Sequence, residues 1–267
     1  MPILAPITKP ANTDSRGCKR SERLSRYKEI ICGNLYRVST RADLGKKTAE
    51  VAAMFDGVAR RYDLMNDLMS FGQVRRWRRE TVKAIDPNSS HLVLDLAGGT
   101  GMSSQAIRNK GAEVLPTDIS LGMLSEGKRR FPEVTFVAGN ALQLPYKDDS
   151  FDAVTISYGL RNVQDTAAAL KEMLRVTKPG GRVVIAEFST PTWKPFRMLY
   201  HWYLSSVMPA LERFSSNDVA YDYLVESIIN WPDQQGLTKL MREAGWADVQ
   251  WKNLTGGIVA LHRGWKP

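Results

Sequence analysis

Leu92-Val93-Leu94-Asp95-Leu96 runs directly into Ala97-Gly98-Gly99-Thr100-Gly101. The first half has the continuous apolar text of a strand buried on both faces, broken by a single Asp. Glycines at the point where a helix should begin let the backbone turn with φ > 0 and let a ligand approach with no Cβ in the way. Ligands of open α/β sheets sit outside the carboxyl ends of such strands, so Gly98 and Gly99 mark a cofactor site. Asp118 ends a second strand-like run, and its carboxylate suits adjacent ribose hydroxyls. Asn140-Ala141 follows a third run and leads into Leu142-Gln143-Leu144-Pro145-Tyr146. An amide and a backbone N–H beside apolar text suit an adenine ring.

These positions need a scaffold that delivers several strand ends to one edge. Strand-like runs at Leu92–Leu96, Ala112–Pro116, Val134–Val137, Phe151–Ser157 and Arg182–Phe188 alternate with helical text at Ser103–Asn109, Leu121–Arg130 and Thr166–Thr177. The order β-α-β-α-β-β-α-β predicts an α/β fold with a doubly wound, mostly parallel sheet. A helix at Leu237–Ala244 follows, then strands at Val249–Leu254 and Ile258–His262. Only Thr255-Gly256-Gly257 separates those two, which predicts an antiparallel C-terminal hairpin and seven strands in all. Ahead of the first strand, Val51, Met54, Phe55 and Val58 recur at helical spacing. A second amphipathic piece runs through Trp77 to Ile85, so residues 48–85 read as cap helices over the ligand edge. Thr190–Pro232 breaks the rhythm with aromatic, helical text and reads as a substrate-side insertion.

Charge and composition narrow the class. Of the net charge of +9, residues 1–47 contribute eleven basic and four acidic side chains, a net +7. The basic character belongs to the leader, and the near-neutral body carries no phosphate-binding footprint, which argues against nucleic acid as a partner. Residues 1–45 are read as a disordered leader, with Val38 as an alternative start of the chain. The body, 46–267, is a single domain with 43% apolar residues in the chain as a whole, enough for a core. Cys18 and Cys32, the two cysteines, lack metal-ligand spacing, which fits a reducing cytoplasm and predicts no metal site. No run reaches the ~20 apolar residues of a spanning helix.

A nicotinamide or flavin dinucleotide would call for G-x-G-x-x-G/A. Here Ser104 stands at the third position, so the match fails. Gly98–Gly101, Asp118 and Asn140-Ala141 in series instead resemble the S-adenosylmethionine site of the Rossmann-like class I methyltransferases. Three longer stretches narrow the resemblance: Met54-Phe55-Asp56-Gly57-Val58-Ala59-Arg60-Arg61-Tyr62-Asp63-Leu64-Met65-Asn66, Val154 to Val163 through Ser157-Tyr158-Gly159-Leu160-Arg161-Asn162, and Asn253 to Gly264. Together they look like the demethylmenaquinone and ubiquinone-precursor C-methyltransferases over residues 46–267. The resemblance implies Thr100, Asp118, Asn140, Ala141 and Ser157 as cofactor contacts. Thr100 and its neighbouring amides would meet the methionyl end at a helix N-terminus, although Thr100 also fits a helix N-cap.

The resemblance also implies a polyprenylated hydroquinone as methyl acceptor, demethylmenaquinol, with the benzoquinol precursor of ubiquinone as the alternative and a dinucleotide oxidoreductase as a remoter one. Tyr62, Arg161 and Asn162 form the expected reaction-side group. Arginine stays protonated, so Arg161 is cast as an electrostatic stabiliser of a phenolate, while Tyr62 and Asp63 would relay a proton. His262 titrates near neutrality but lies on the terminal hairpin, where a structural role is expected. Phe196–Leu211, rich in Trp and Tyr, reads as a cover for the sheet and a greasy entrance for the prenyl tail, in peripheral contact with the inner face of the membrane.

Overall fold

The computed structural model describes residues 46–60, 62–207 and 225–267. The basic leader, Arg61 and the middle of the insertion lie outside the described residues. Three helices come first: α1 (Lys46–Val58), α2 (Tyr62–Met69) and α3 (Gln73–Ile85). The α/β body follows as β1 (Leu92–Leu96), α4 (Met102–Arg108), β2 (Glu113–Asp118), α5 (Leu121–Arg130), β3 (Val137–Ala138), β4 (Phe151–Ser157), α6 (Thr166–Val176) and β5 (Thr177–Phe188). The chain continues through α7 (Lys194–Trp202), α8 (Gln234–Glu243), β6 (Ala247–Leu254) and β7 (Val259–Trp265).

These strands form one seven-stranded sheet in the order β3-β2-β1-β4-β5-β7-β6. β1 lies parallel between β2 and β4, with Leu94 opposite Leu115 and Val154. β7 runs antiparallel to both β5 and β6, with His262 opposite Ile185 and Trp251. Alternate side chains of each strand feed opposite faces. One face packs Leu94, Leu96, Val154, Ile156 and Ile185 under α6 and α8 through Leu170, Met173, Leu237 and Met241. The other packs Val93, Ala153, Val184 and Leu261 under α3 and α4 through Trp77, Val82, Ile85 and Ile107. Covering on both faces explains why all five residues of β1 are buried.

Three helix starts are fixed by side-chain caps. Ser120 accepts from the Met123 N–H, Asp165 from that of Ala168 and Asp233 from that of Gly236. Several boundaries differ from the sequence expectation by two or three residues, among them α8, which begins at Gln234, and β7, which runs on to Trp265, and two differ for reasons visible in the pairing. Val134 closes a turn at the end of α5, its N–H on the Phe131 carbonyl, so β3 shrinks to Val137–Ala138. β5 begins at Thr177 rather than Arg182, because Thr177 pairs with Phe151 and a bulge absorbs the residues before Arg182 pairs with Ala153.

Candidate functional site

Four strand ends meet at one edge of the sheet, and a cavity opens there under α1, α2 and α3. It encloses about 1250 Å³ counting its open mouth. Gly98 is demanded by crowding: a Cβ there would stand 2.9 Å from both the Asp95 carbonyl and Pro116 Cβ. The loop after β1 is tied to the loop after β2 through Asp118, whose carboxylate accepts from the Gly99 N–H and the Ser120 N–H, each at 2.9 Å. Burial pushes the Asp118 carboxyl up, against the pull of those amides. Gly139, after β3, donates to the Asp118 carbonyl at 3.0 Å. Asn140 then folds back, its side-chain oxygen accepting from the Leu142 N–H at 3.1 Å.

The N-terminal helices are fastened over this edge by carboxylates. Asp56 on α1 accepts from the Ser120 hydroxyl and, at 2.7 Å, from the Gly122 N–H. Asp63 on α2 accepts from the Thr100 hydroxyl at 2.8 Å and from Arg130. Thr100 therefore faces the cap, and the residue at the start of α4 is Gly101 with no side-chain cap, so the N-cap reading of Thr100 does not hold. Tyr62, beside Asp63, lines the cavity, and burial raises its phenol pKa above the ordinary value.

Gly98, Gly99, Thr100, Asp118, Asn140, Ala141, Ser157, Tyr62 and Asn162 all line this one cavity. Arg161 does not. Its guanidinium is 6% exposed and paired at 2.9 Å with Glu187 of β5, itself 1% exposed. The same side chain donates to the Tyr158 carbonyl and to the Ser227 hydroxyl and lies 5.0 Å from the Phe188 ring. The Arg161 N–H also donates to Glu187. Arg161 thus pins the turn that carries Asn162, and its charge is already neutralised. Asn162 presents a buried side-chain oxygen with no partner among the described residues.

Among the lining residues that sequence reasoning passed over are Asp95, Arg78 and Tyr158. Asp95 is 1% exposed and donated to by the Ser104 hydroxyl, and burial lifts its pKa to about 6. Its signal was there to read, a lone acid in an apolar strand facing the Ser that broke the dinucleotide pattern. Tyr158 holds φ at 59°, a left-handed backbone that a bulky residue seldom adopts. His262 lies elsewhere, buried on β7 with Nε2 against the Gln234 carbonyl. Among the described residues no group of three or more His, Cys, Asp or Glu is placed to hold a metal ion, and no helix is long and apolar enough to cross a membrane.

The cavity's parts match an adenosyl amino acid: a glycine cradle after β1, a carboxylate after β2, and an amide turn after β3. A family model described as the ubiE/COQ5 methyltransferase family matches residues 43–266. A demethylmenaquinone methyltransferase of Streptomyces avermitilis is 59% identical over 228 residues, which is 85% of this chain and 99% of that protein. One from Mycobacterium sp. (strain KMS) is 55% identical over 229 residues, covering 85% and 99%. Among solved structures, Haemonchus contortus phosphoethanolamine N-methyltransferase 2 with S-adenosyl-L-methionine superposes with a TM-score of 0.53 at 16% identity, covering 71% of this chain and 52% of that one. The [4+2]-cyclase SpnF gives 0.53 at 18% identity, over 71% and 81%. At such identities the likeness concerns the fold, and a cyclase among the neighbours shows that the fold alone does not choose the reaction.

Proposed function

The chain belongs to the ubiE/COQ5 methyltransferase family, and from that premise we propose that it transfers a methyl group from S-adenosylmethionine to a ring carbon of demethylmenaquinol. The observation that carries this reading is the joining of the glycine loop, Asp118 and Asn140-Ala141 at one strand edge, with an unpartnered Asn162 oxygen across the same cavity. When bound, the cofactor supplies an electrophilic methyl on a sulfonium. Gly98, Gly99 and Thr100 hold its backbone-facing side, Asp118 accepts from the ribose hydroxyls, and Asn140 with Ala141 borders the adenine. Ser157, half-buried at the end of β4, faces the transferred group.

The acceptor must be electron-rich. A quinone is not, whereas its hydroquinone, once deprotonated, pushes density onto the neighbouring ring carbon. A phenol titrates near ~10, so the site has to assist. Asn162 accepts a hydrogen bond from the acceptor hydroxyl through its free oxygen; the phenolic proton passes to solvent, and the methylated ring carbon then loses its own proton the same way to restore the aromatic ring. The Tyr62 phenol, kept protonated by burial, donates to the oxygen where charge grows. Arg161 acts through position, holding the Gly159–Asn162 turn against Glu187. Orientation of the two reactants by these groups contributes several kcal/mol.

The prenyl tail and the bilayer are read from the surface. Met65 and Met69 of α2 pack against a buried cluster of Tyr200 on α7, Leu204 in the turn just past it, and Ile228. Both helices leave apolar residues outward: Leu68 and, just past α2, Phe71, and on α7 Met198, Leu199 and Trp202. Leu204, expected at the greasy entrance, is buried in that contact instead. A Phe71→Ser/Trp202→Ser variant should lose several-fold in co-sedimentation with anionic vesicles; unchanged binding removes the membrane contact. The function itself is tested by giving the protein S-adenosylmethionine and reduced demethylmenaquinone. Methylated naphthoquinol is expected, and product from the benzoquinol analogue alone would reverse the acceptor.

A further inference from the structure

We propose that Arg78, together with the Tyr158 hydroxyl, holds the carboxylate at the amino-acid end of the methyl donor while Asp95 takes the ammonium beside it. This rests on the adenosyl reading above and moves the carboxylate of the methionyl end, expected from the sequence at Thr100 and its neighbouring amides, to the wall under α3, since the Thr100 hydroxyl already donates to Asp63.

Charge accounting leads there. Among the described residues lining the cavity, Asp63, Asp95 and Asp118 are acidic and Arg78 is the one Lys or Arg. Asp63 is occupied by Thr100 and Arg130, and Asp118 by two backbone amides at the ribose end. Asp95, whose one bonded oxygen takes the neutral Ser104 hydroxyl, and Arg78 remain without a charged partner among the described residues, close enough that the guanidinium draws the Asp95 carboxyl downward against burial. An α-amino acid presents an ammonium and a carboxylate on one carbon, and an acid beside a base is its complement.

The donors are also unspent. Arg78 Nε and the Tyr158 hydroxyl are buried with no hydrogen-bond partner among the described residues. Buried polar groups are nearly always paired, so two idle donors on one cavity wall point to an acceptor that belongs there. Burial raises the Tyr158 phenol far above its usual range, which keeps its proton available to donate.

Local structure aims both groups. In Arg75-Arg76-Trp77-Arg78-Arg79, residues Arg75, Arg76 and Arg79 are exposed and Arg75 pairs with Asp67, whereas Arg78 turns inward. Trp77 fixes the rotation of α3 by donating from Nε1 to the Thr255 hydroxyl at 2.8 Å. The Tyr158 ring lies between Trp77 and Phe188, with centroids 6.1 and 5.5 Å away. Its left-handed backbone is strain held at a position with a task.

Two nucleosides separate the amino-acid end from the rest. S-adenosylhomocysteine carries it and 5′-methylthioadenosine does not. By calorimetry the wild type should bind the first more tightly. Arg78→Met should weaken S-adenosylhomocysteine by roughly ten- to a hundredfold and leave 5′-methylthioadenosine unchanged. Arg78→Lys should fall between, and Tyr158→Phe should lose several-fold in the same selective way. Tyr158→Phe keeps the ring in place and supplies the comparison should Arg78→Met fail to fold. Equal losses for both ligands, or no loss for S-adenosylhomocysteine, overturn the assignment. A wild type that binds both nucleosides equally sinks it alone, whereas one that binds neither sinks the adenosyl reading as well.

Discussion

Arg161 and Glu187 are the most thoroughly buried ion pair beside the cavity, and the consequence lies at the scale of single residues. Removing one partner strands the other charge away from water, a loss of about 3–5 kcal/mol for buried pairs. Glu187→Ala should therefore lower the urea midpoint sharply, while Arg161→Met/Glu187→Leu should recover most of it. A midpoint unmoved by Glu187→Ala would mean that the pair is solvated. Asp95 has the opposite cost. Its folded pKa of about 6 stands above the unfolded value of 3.8. On acidification the native state takes the proton first, so stability is gained between pH 6 and 4 and the ionised carboxylate weighs on the fold above pH 6. Asp95→Asn should raise the Tm of the ligand-free protein at pH 7.5, by an amount on the order of 2 kcal/mol in stability, and reduce the further gain on adding S-adenosylhomocysteine. The cavity-lining residues were legible where motif and strand end coincide, as at Asp118 and Asn140. Arg161 was not, because a sequence displays a charge without the Glu187 that neutralises it from another strand. Arg78 was hidden among three outward-facing arginines that differ from it only in helix phase.

Elements decide how the site closes. α1 and α2 bring two carboxylates down onto backbone and side-chain donors of the loops after β1 and β2, so the cap and the cofactor loops share hydrogen bonds. Asp56→Ala removes the α1 contact at Ser120 and Gly122. Global stability should change by only about 1 kcal/mol, since the sheet core is untouched. Amide exchange over residues 46–58 should nevertheless accelerate, and bound S-adenosylhomocysteine should slow it less than in the wild type. Equal protection in both proteins would show that α1 is held by apolar packing alone. The long elements were predictable from periodicity, which reports a buried stripe directly. β3 and the start of β5 were not, because a two-residue strand and a bulge are set by pairing partners rather than by local propensity.

At the scale of the whole molecule, the terminal hairpin couples the sheet to α8. His262 on β7 is 1% exposed, and burial holds its pKa below 6.5. Well above pH 6.5 it is neutral in both folded and unfolded chains. Below that pH the unfolded chain binds the proton first, so stability falls on acidification. His262→Gln should flatten the decline of the urea midpoint between pH 7 and 5; an unaltered slope would assign the decline to other groups. The hairpin was visible in Thr255-Gly256-Gly257, whereas its placement was not argued from the sequence. A signal existed: Val259-Ala260-Leu261 is apolar throughout, as an interior strand must be, and Gln250-Trp251-Lys252-Asn253 is mostly polar, as an edge strand can be. With β7 seated between β5 and β6, β6 has no neighbour until the later strand arrives. During synthesis β6 must therefore leave the ribosome as an unpaired edge and wait, and the sheet closes only when β7 slides in beside β5. The latest strand of the sheet in chain order is the keystone of the half that carries Glu187, so a nascent chain stalled before Val259 would carry an exposed β5 edge ready to pair with a neighbour.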